Sequence, residues 1–276
     1  MSHLSTVSAF RRRTSVSSLM RAASDTSCAL AAPCAHVWCL SRQRFHSDCE
    51  ELFAFLDDSE LARAESFYAE DHRREFVIAR ALLKTLIAGY CGCTPREVRF
   101  EYGSRGKPAL ISELRRSRNL SFNMSHSADA VLIAITSGIE VGVDVEEISS
   151  GTLGAEAIEN MCINSQEAIV LNSASDRERP RMLLRYWTHK EAYLKAIGCG
   201  LSLPPQHLTV RFLDFQRSVI YQGNPREKDP LFGHDLPPGS GYAGAIVVPM
   251  RIEKLRYFGS DTFTHPVPRI ASLTHS

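Results

Sequence analysis

The sequence predicts a mixed α/β fold, of the α+β kind, made of two similar halves. Two observations predict it. Helical patterns followed by short strand patterns occupy residues 48–145, and the same order returns in residues 155–250. No internal repeat is strong enough to prove a duplication. The predicted units are an N-terminal extension (1–35), an N-terminal α/β half (36–146), a C-terminal α/β half (147–250) and a C-terminal tail (251–276).

The composition is that of an ordinary globular protein and excludes several classes of function. Of 276 residues, 44% are hydrophobic and 23% charged, with a net charge of +1. A balanced charge gives no basic field for nucleic acid. No apolar run reaches the roughly 18 residues of a membrane span. The eight Cys form no CxxC pair and no zinc-type spacing, which favours a reducing compartment and a cytoplasmic location.

The first 33 residues differ from the rest of the chain. They are rich in Ser and Ala and carry four Arg against one acid, Asp25. This composition is typical of an organellar transit peptide. A disordered extension, or a start codon placed too far upstream, is the alternative, and the sequence leaves both open.

In the N-terminal half we expect a short strand at 37–40 and helices at 48–57, 59–70 and 71–90. The last helix has a wide apolar stripe that includes Leu82 and Leu86. Arg80 falls among these apolar residues, and an arginine there needs a carboxylate or a phosphate as partner. After a strand at 98–102, the turn Gly103–Pro108 places Gly106 before Lys107. Such a turn can present an ammonium to a phosphate, although by itself the pattern favours an ordinary hairpin turn.

The strand 139–145 is the most informative β-structure, predicted as the hairpin partner of a strand at 131–136; a further strand is expected at 120–124. Ile139, Val141, Val143 and Val145 share one face, so that Asp144 and Glu146 share the other. Two adjacent acids repel unless a cation lies between them, and oxygen ligands suit Mg²⁺. Gly142 is expected to leave space for a ligand. A solvated strand face is the alternative.

In the C-terminal half the sequence predicts a helix at 155–172 and another at 180–197 that ends at Gly198. Trp187, Glu191 and Lys195 are four residues apart and therefore share one helix face. By itself this row is equally compatible with a surface ion pair beside a buried Trp. Strands are expected at 208–213, 218–222 and 242–248, with 223–241 as a long connection.

Four motifs in this order resemble the surfactin-type 4′-phosphopantetheinyl transferases. They are Gly-Lys-Pro at 106–108, Phe-Asn-Met-Ser-His-Ser at 122–127, Val-Gly-Val-Asp-Val-Glu at 141–146, and Trp-Thr-His-Lys-Glu-Ala-Tyr-Leu-Lys at 187–195. The resemblance covers about residues 36–250. It implies a pseudo-dimer of two α/β halves in one monomeric chain, with coenzyme A in the cleft between them.

The resemblance also implies the reaction. The 4′-phosphopantetheine arm of coenzyme A would move to a Ser of an apo acyl or peptidyl carrier protein, and adenosine 3′,5′-bisphosphate would leave. Mg²⁺ would assist, since this chemistry depends on positioning and on stabilising charge. The carrier could belong to fatty-acid, polyketide or non-ribosomal peptide synthesis. The alternative is a homologue that binds coenzyme A or a carrier without catalysis.

The matching positions give the expected site residues. The metal ligands would be Asp144, Glu146 and Glu191, with Glu191 also the candidate general base. Lys195 would lie over the pyrophosphate, and Asp144, Glu191 and Lys195 form the catalytic set. The coenzyme A contacts would be Arg80, Gly106, Lys107, Pro108, Ser125, His126 and Lys195.

Three neighbouring features have less certain roles. Arg73 or Arg74 is a looser match for the 3′-phosphate. Lys190 is expected to be a plain surface lysine or a ligand contact, and Trp187 a packing residue. The stretch 161–166 departs from the aromatic-rich family pattern, which puts the choice of carrier in doubt.

Overall fold

The computed structural model describes residues 3–10, 15–27, 30, 33–114, 119–148, 154–223, 229–239 and 241–260. Within these residues the α-helices are α1 (Val16–Ser27), α2 (Cys49–Leu52), α3 (Asp58–Glu65), α4 (Glu70–Cys91), α5 (Ala155–Cys162), α6 (Ser165–Asn172) and α7 (Arg179–Ile197). The strands are β1 (His3–Phe10), β2 (Cys34–Ser41), β3 (Phe100–Tyr102), β4 (Pro108–Leu110), β5 (Leu120–Ser127), β6 (Ala130–Ser137), β7 (Gly142–Glu147), β8 (Leu208–Phe212), β9 (Arg217–Gln222), β10 (Leu231–Leu236), β11 (Tyr242–Val248) and β12 (Lys254–Ser260).

The first sheet has the strand order β1-β12-β2-β6-β5 in the described part of the chain. Its β2, β6 and β5 pair antiparallel, whereas β12 lies parallel to both β1 and β2. Helix α4 covers one face, where Leu82 and Leu86 pack into the same core as Trp38 and Ile133. The apolar stripe predicted for 71–90 therefore forms one wall of the N-terminal core.

The second sheet has the order β7-β11-β10-β9-β8 and is antiparallel throughout its described strands. Helix α7 lies across it, and Trp187, Ala192 and Leu194 join a core with Val210 and Ala245. The helix ends where predicted, because Gly198 takes the left-handed conformation (φ +66°) that closes a helix. These two layers place α7 directly over β7.

The two sheets meet through a third core. Val143 and Val145 of β7 pack with Val37 of β2 and Leu132 of β6. The predicted alternation along β7 is confirmed, since its valines face this core while Gly142 faces α7. The opposite, polar face of β7 is thereby left for the acids.

The predicted hairpin of β6 with β7 is wrong. Strand β6 pairs with β5 and β2, whereas β7 pairs with β11, with Gly142 opposite Val247. The chain turns at Gly138 as expected (φ +68°) but crosses there from one sheet to the other. A local turn signal identifies a change of direction and not the partner strand. Strand β7 therefore pairs in the second sheet although residues 142–146 lie inside the predicted unit 36–146.

Two elements of the C-terminal half also differ from prediction. The expected helix at 155–172 is broken into α5 and α6, because Asn164 starts a new helix with a reciprocal capping box to Glu167. The expected connection at 223–241 contains β10, which pairs with both β9 and β11. Gly233, His234 and Asp235 in β10 obscure the strand pattern in the sequence.

The predicted extension and tail both contribute to the fold. Leu19 and Ala23 of α1 are fully buried, and a Cβ at Gly89 of α4 would lie 2.7 Å from the Ala23 Cβ. Residues 254–260 form β12, inside the first sheet rather than a free tail. The remainder of the predicted tail, 261–276, lies outside the described residues, as do residues 1–2 and 11–14.

Among the helices that the structure describes, none combines the length and the apolar character needed to cross a membrane.

Candidate active site

The close contact of α7 with β7 at Gly142 brings the acids of the two elements together. A Cβ at Gly142 would lie 1.9 Å from the Ala192 carbonyl oxygen and 2.5 Å from the Ala196 nitrogen. Only a glycine permits this approach of a helix backbone. The expectation that Gly142 leaves room for a ligand is wrong, because α7 itself fills the space. Asp144 and Glu146 follow on the same strand face.

Asp144 is held by side chains from two other elements. Its Oδ1 accepts a hydrogen bond from the Ser125 hydroxyl of β5 (2.7 Å) and from Lys195 Nζ of α7 (2.6 Å). Lys195 Nζ also donates to Ser125 Oγ at 2.9 Å. Both Ser125 and Asp144 are buried. The structure therefore brings together Ser125, Asp144 and Lys195, three of the predicted site residues.

Glu146 lies beside this triangle. Its Oε2 accepts from Ser127 Oγ at 3.0 Å, and its Oε1 lies 3.4 Å from the Trp187 indole nitrogen. Burial and the neighbouring Asp144 raise the pKa of Glu146 above its usual value. Trp187 is buried in the core, so its ring packs and its N–H is directed to the acid. Ser127 was not predicted as a site residue, although it lies two residues after Ser125 and therefore on the same face of β5.

Glu191 is the most strongly perturbed acid of the group. Burial first, and then the charge of Asp144, raise its pKa to about 7, against the opposing effect of Lys195. Glu191 Oε1 and Asp144 Oδ2 are buried without a hydrogen-bond partner. Such atoms are costly to desolvate and need a cation or a donor. The contact of α7 with β7 therefore holds two carboxylate oxygens that have no hydrogen-bond partner.

These atoms suit a hard cation by their chemistry. Mg²⁺ takes oxygen ligands and uses few carboxylates, with water and phosphate oxygens completing the shell. Two buried carboxylate oxygens without partners match that donor type. Within the described ranges, however, no three His, Cys, Asp or Glu side chains are arranged as a formed metal site. The ligand set Asp144, Glu146 and Glu191 stays a prediction.

Lys107 lies in the turn between β3 and β4, where Gly106 has a φ of +81° and Pro108 begins β4. Its Nζ donates to Glu140 Oε2 at 2.7 Å and to the Ala196 carbonyl oxygen at 2.8 Å. The turn thus reaches the end of α7. The ammonium predicted to contact phosphate is engaged with protein groups.

Arg80 is buried on α4, as its apolar neighbours predicted. Its guanidinium lies 3.7 Å from Glu60, donates to the phenol oxygen of Tyr102 and stacks over the ring of Phe100. Arg80 Nε and Nη1 nevertheless lack hydrogen-bond partners. Glu60 Oε2 also lies 2.6 Å from Nζ of the fully buried Lys84, an ion pair that was not predicted from the sequence. The sequence signal for this pair was the spacing of four residues between Arg80 and Lys84, which places both cations on one face of the helix.

His126 is exposed on β5, beside the triangle of Ser125, Asp144 and Lys195. The guanidinium of Arg42 lies close enough for its charge to act on the His126 ring. Arg42 itself donates to the Ala128 carbonyl and pairs with Glu75 at 3.0 Å. These contacts hold the β5–β6 turn next to His126.

Lys190 corrects another expectation. It is fully buried, and its Nζ donates to Glu167 Oε2 and to the Cys162 carbonyl, both at 2.5 Å. Glu167 Oε1 in turn accepts from the Val210 backbone at 2.8 Å. Lys190 is therefore neither a surface lysine nor a ligand contact. The ion pair ties α7 to α5, α6 and β8.

Comparison with known proteins gives two adjoining family matches. Residues 140–247 match the 4′-phosphopantetheinyl transferase superfamily, and residues 40–138 match the N-terminal region of 4′-phosphopantetheinyl transferases. The two matches meet at residue 139, where the chain passes from the first sheet to the second.

Two relatives with known names agree with these matches. The chain is 38% identical over 167 residues to the 4′-phosphopantetheinyl transferase HetI of Nostoc sp., covering 60% of this chain and 70% of that protein. It is 26% identical over 207 residues to the 4′-phosphopantetheinyl transferase ffp of Bacillus subtilis, covering 75% and 88%. A holo-(acyl-carrier-protein) synthase from Bacillus anthracis, solved with CoA (3′,5′-ADP), aligns with 20% identity and a TM-score of 0.33 over 40% of this chain and 95% of the other.

Proposed function

Because this chain belongs to the 4′-phosphopantetheinyl transferase superfamily, we propose that it moves the 4′-phosphopantetheine arm of coenzyme A onto a serine of an apo carrier protein. The observation that carries the proposal is the junction of β5, β7 and α7. There Ser125, Asp144 and Lys195 are hydrogen-bonded, and a carboxyl with a pKa of about 7, Glu191, lies beside them. Perturbed titratable groups gathered at a junction of elements are typical of active sites.

The reaction has a simple balance. The serine oxygen of the carrier forms a bond to the β-phosphorus of the pyrophosphate, and the bond from that phosphorus to the bridging oxygen breaks. Adenosine 3′,5′-bisphosphate leaves with the bond electrons, and the serine proton passes to a base. The carrier serine then bears the phosphopantetheine as a phosphodiester.

Glu191 is the proposed acceptor of that proton. A carboxyl with a pKa near 7 is matched to accept a proton at neutral pH. Lys195 Nζ, whose side chain is 29% exposed, supplies a positive charge for the pyrophosphate oxygens. Asp144 holds Lys195 in place at 2.6 Å.

The proposed metal ligands are Asp144, Glu146 and Glu191. When bound, Mg²⁺ would neutralise charge on the pyrophosphate oxygens. The unpartnered Asp144 Oδ2 and Glu191 Oε1 support this assignment. In addition to Lys195, the proposed coenzyme A contacts are Arg80, Gly106, Pro108, Ser125 and His126. Lys107 lies between two of these residues, Gly106 and Pro108.

We also propose that the protein is monomeric and cytoplasmic. Support for a monomer comes from the two sheets, which bury the apolar faces of β2, β6 and β7 against each other within one chain. The proposed partner is an apo carrier protein, and the assay below compares carriers of different pathways. Size-exclusion chromatography with light scattering tests the monomer; a mass of twice 30.7 kDa would contradict it.

Mass spectrometry tests the reaction directly. The purified protein is incubated with coenzyme A, Mg²⁺ and apo carriers of the fatty-acid, polyketide and peptide classes. We expect one phosphopantetheine adduct on at least one carrier, abolished by EDTA and by replacing the acceptor serine with alanine. Tight coenzyme A binding in calorimetry without an adduct on any carrier would instead favour the non-catalytic homologue.

A further inference from the structure

Lys107 connects the two halves of the protein at the end of α7. The turn from Gly103 to Lys107 is closed by hydrogen bonds from the Gly103 and Gly106 nitrogens, and it projects Lys107 towards Gly198. A Cβ at Gly198 would lie 3.3 Å from Lys107 Cδ. The lysine stem therefore passes closely over the glycine that ends the helix.

The Lys107 ammonium caps the C-terminus of α7. The last four carbonyls of a helix lack helical N–H partners and carry the negative end of its dipole. The Gly198 and Cys199 nitrogens serve the Lys195 and Leu194 carbonyls, at 3.3 and 3.1 Å. Lys107 Nζ serves the Ala196 carbonyl at 2.8 Å. A cation from the first half thus satisfies a third carbonyl at the helix end in the second half.

The same ammonium holds the chain just before β7. It donates to Glu140 Oε2 at 2.7 Å and lies 3.5 Å from the Val141 carbonyl oxygen. A lysine has three N–H donors, and these two acceptors together with Ala196 provide three. The next residue, Gly142, is the point where β7 touches the α7 backbone. Lys107 therefore bridges the start of β7 and the end of α7 at their closest approach.

We propose that Lys107 and Glu140 form a clamp that positions the catalytic groups by fixing α7 against β7. Strand β7 carries Asp144 and Glu146, and α7 carries Glu191 and Lys195. A small shift between the two elements would separate Lys195 from Asp144. Lys107 is in this account a positioning residue, and Glu140 acts through it. The kinetic part of the test rests on the proposed function.

Steady-state kinetics separate the clamp from a direct phosphate contact. We expect Lys107→Met and Glu140→Ala each to lower kcat by roughly tenfold while KM for coenzyme A changes by less than about twofold, because orientation is lost and not uniform binding. The double variant should be no worse than Lys107→Met alone, since both residues act in one contact. Arg105→Met, which removes an exposed cation from the same turn, is the matched control.

The opposite kinetic pattern would overturn the clamp. A direct phosphate contact predicts a higher KM for coenzyme A in Lys107→Met with kcat unchanged. In Glu140→Ala, whose lysine is released, it predicts an unchanged kcat with an unchanged or lower KM. Wild-type kinetics in both variants would overturn it too. If Lys107→Met does not fold, Glu140→Ala alone distinguishes the two patterns.

Hydrogen–deuterium exchange tests the clamp without any activity. We expect the Gly198 and Cys199 amides to exchange at least about tenfold faster in Lys107→Met and Glu140→Ala than in the wild type and Arg105→Met, because the helix end opens locally. Equal exchange in all four proteins would overturn the clamp. This arm stays decisive if no carrier accepts phosphopantetheine, so the two proposals can fail separately.

Discussion

Lys195 Nζ lies 2.6 Å from Asp144 Oδ1, and this contact joins α7 to β7 across the polar face of the strand. Ser125 of β5 bonds to both partners, so that one small triangle draws on three elements and both sheets. Two other acids lie beside this triangle. Glu146 and Glu191 both have raised pKa values, because burial disfavours their charged forms and the nearby charge of Asp144 adds to the effect, which Lys195 only partly opposes.

The pH dependence of stability reports on Glu191. Its pKa is about 7 in the folded protein and close to 4.5 when unfolded, so the folded state holds a proton that the unfolded state releases. Measured without divalent ions, the contribution of Glu191 to stability should fall as pH rises from 4.5 to 7, by at most about 3 kcal/mol. Buried histidines with lowered pKa values, such as His36 and His234, act in the opposite direction in the wild type. Glu191→Gln should therefore gain stability relative to the wild type between pH 5 and pH 8, and urea unfolding of both proteins at the two pH values in EDTA measures that difference.

The control for that experiment is an exposed acid. Glu253→Gln, at an exposed position immediately before β12, should leave the pH dependence of the wild type intact. A Glu191→Gln protein whose stability changes between pH 5 and pH 8 by the same amount as that of the wild type would show that the pKa of Glu191 is not raised.

Gly142→Ala should damage the fold and the site together. The new Cβ would overlap the Ala192 carbonyl oxygen, which belongs to helix backbone and cannot rotate away. We expect a loss of roughly 2–4 kcal/mol in the free energy of unfolding, typical of overpacking against backbone. Gly241→Ala, where a Cβ meets nothing within 4 Å, should cost less than about 1 kcal/mol. Equal losses in the two variants would remove the packing role of Gly142.

Lys190→Met should strongly destabilise the fold. Lys190 directly precedes the proposed catalytic residue Glu191, but its own contacts are structural. The substitution leaves the Glu167 carboxylate buried without its cation, which costs about 3–5 kcal/mol. Lys190→Met with Glu167→Gln should recover much of that loss, because the buried charge is gone. Arg179→Met breaks a partly exposed pair with Glu159 and should cost about 1 kcal/mol or less. Thermal and urea unfolding compare the three proteins, and a mild Lys190→Met phenotype would contradict the buried pair.

The local features of the fold were predicted correctly from the sequence. The helix α7 and its end at Gly198, the stripe of α4 and the alternation along β7 follow from periodicities of 3.6 and 2 residues. The shared face of Glu191 and Lys195 follows from the same geometry. The proximity of these residues to Asp144 followed only from the family resemblance, and the structure has Lys195 in contact with it.

The features that the sequence did not reveal depend on distant partners. Strand β7 joins β11, about 100 residues away, which no local turn signal encodes. The burial of Lys190 depends on Glu167, and the position of Lys107 depends on Glu140 and Ala196. A charged residue is expected at the surface unless its partner is known. Gly142 reads as open space in the sequence because the helix that fills it lies 50 residues later.

The most direct test of the central claim compares Glu191→Gln with wild type in carrier modification. Both proteins, shown to be folded by circular dichroism, are assayed by mass spectrometry with saturating coenzyme A, Mg²⁺ and an apo carrier that the wild type modifies. We expect the variant to be slower by at least about 100-fold, because it loses both a proton acceptor and a carboxylate of the acid cluster, while Glu253→Gln matches the wild type. A Glu191→Gln rate within about twofold of the wild type would contradict the placement of the transferase site at β5, β7 and α7.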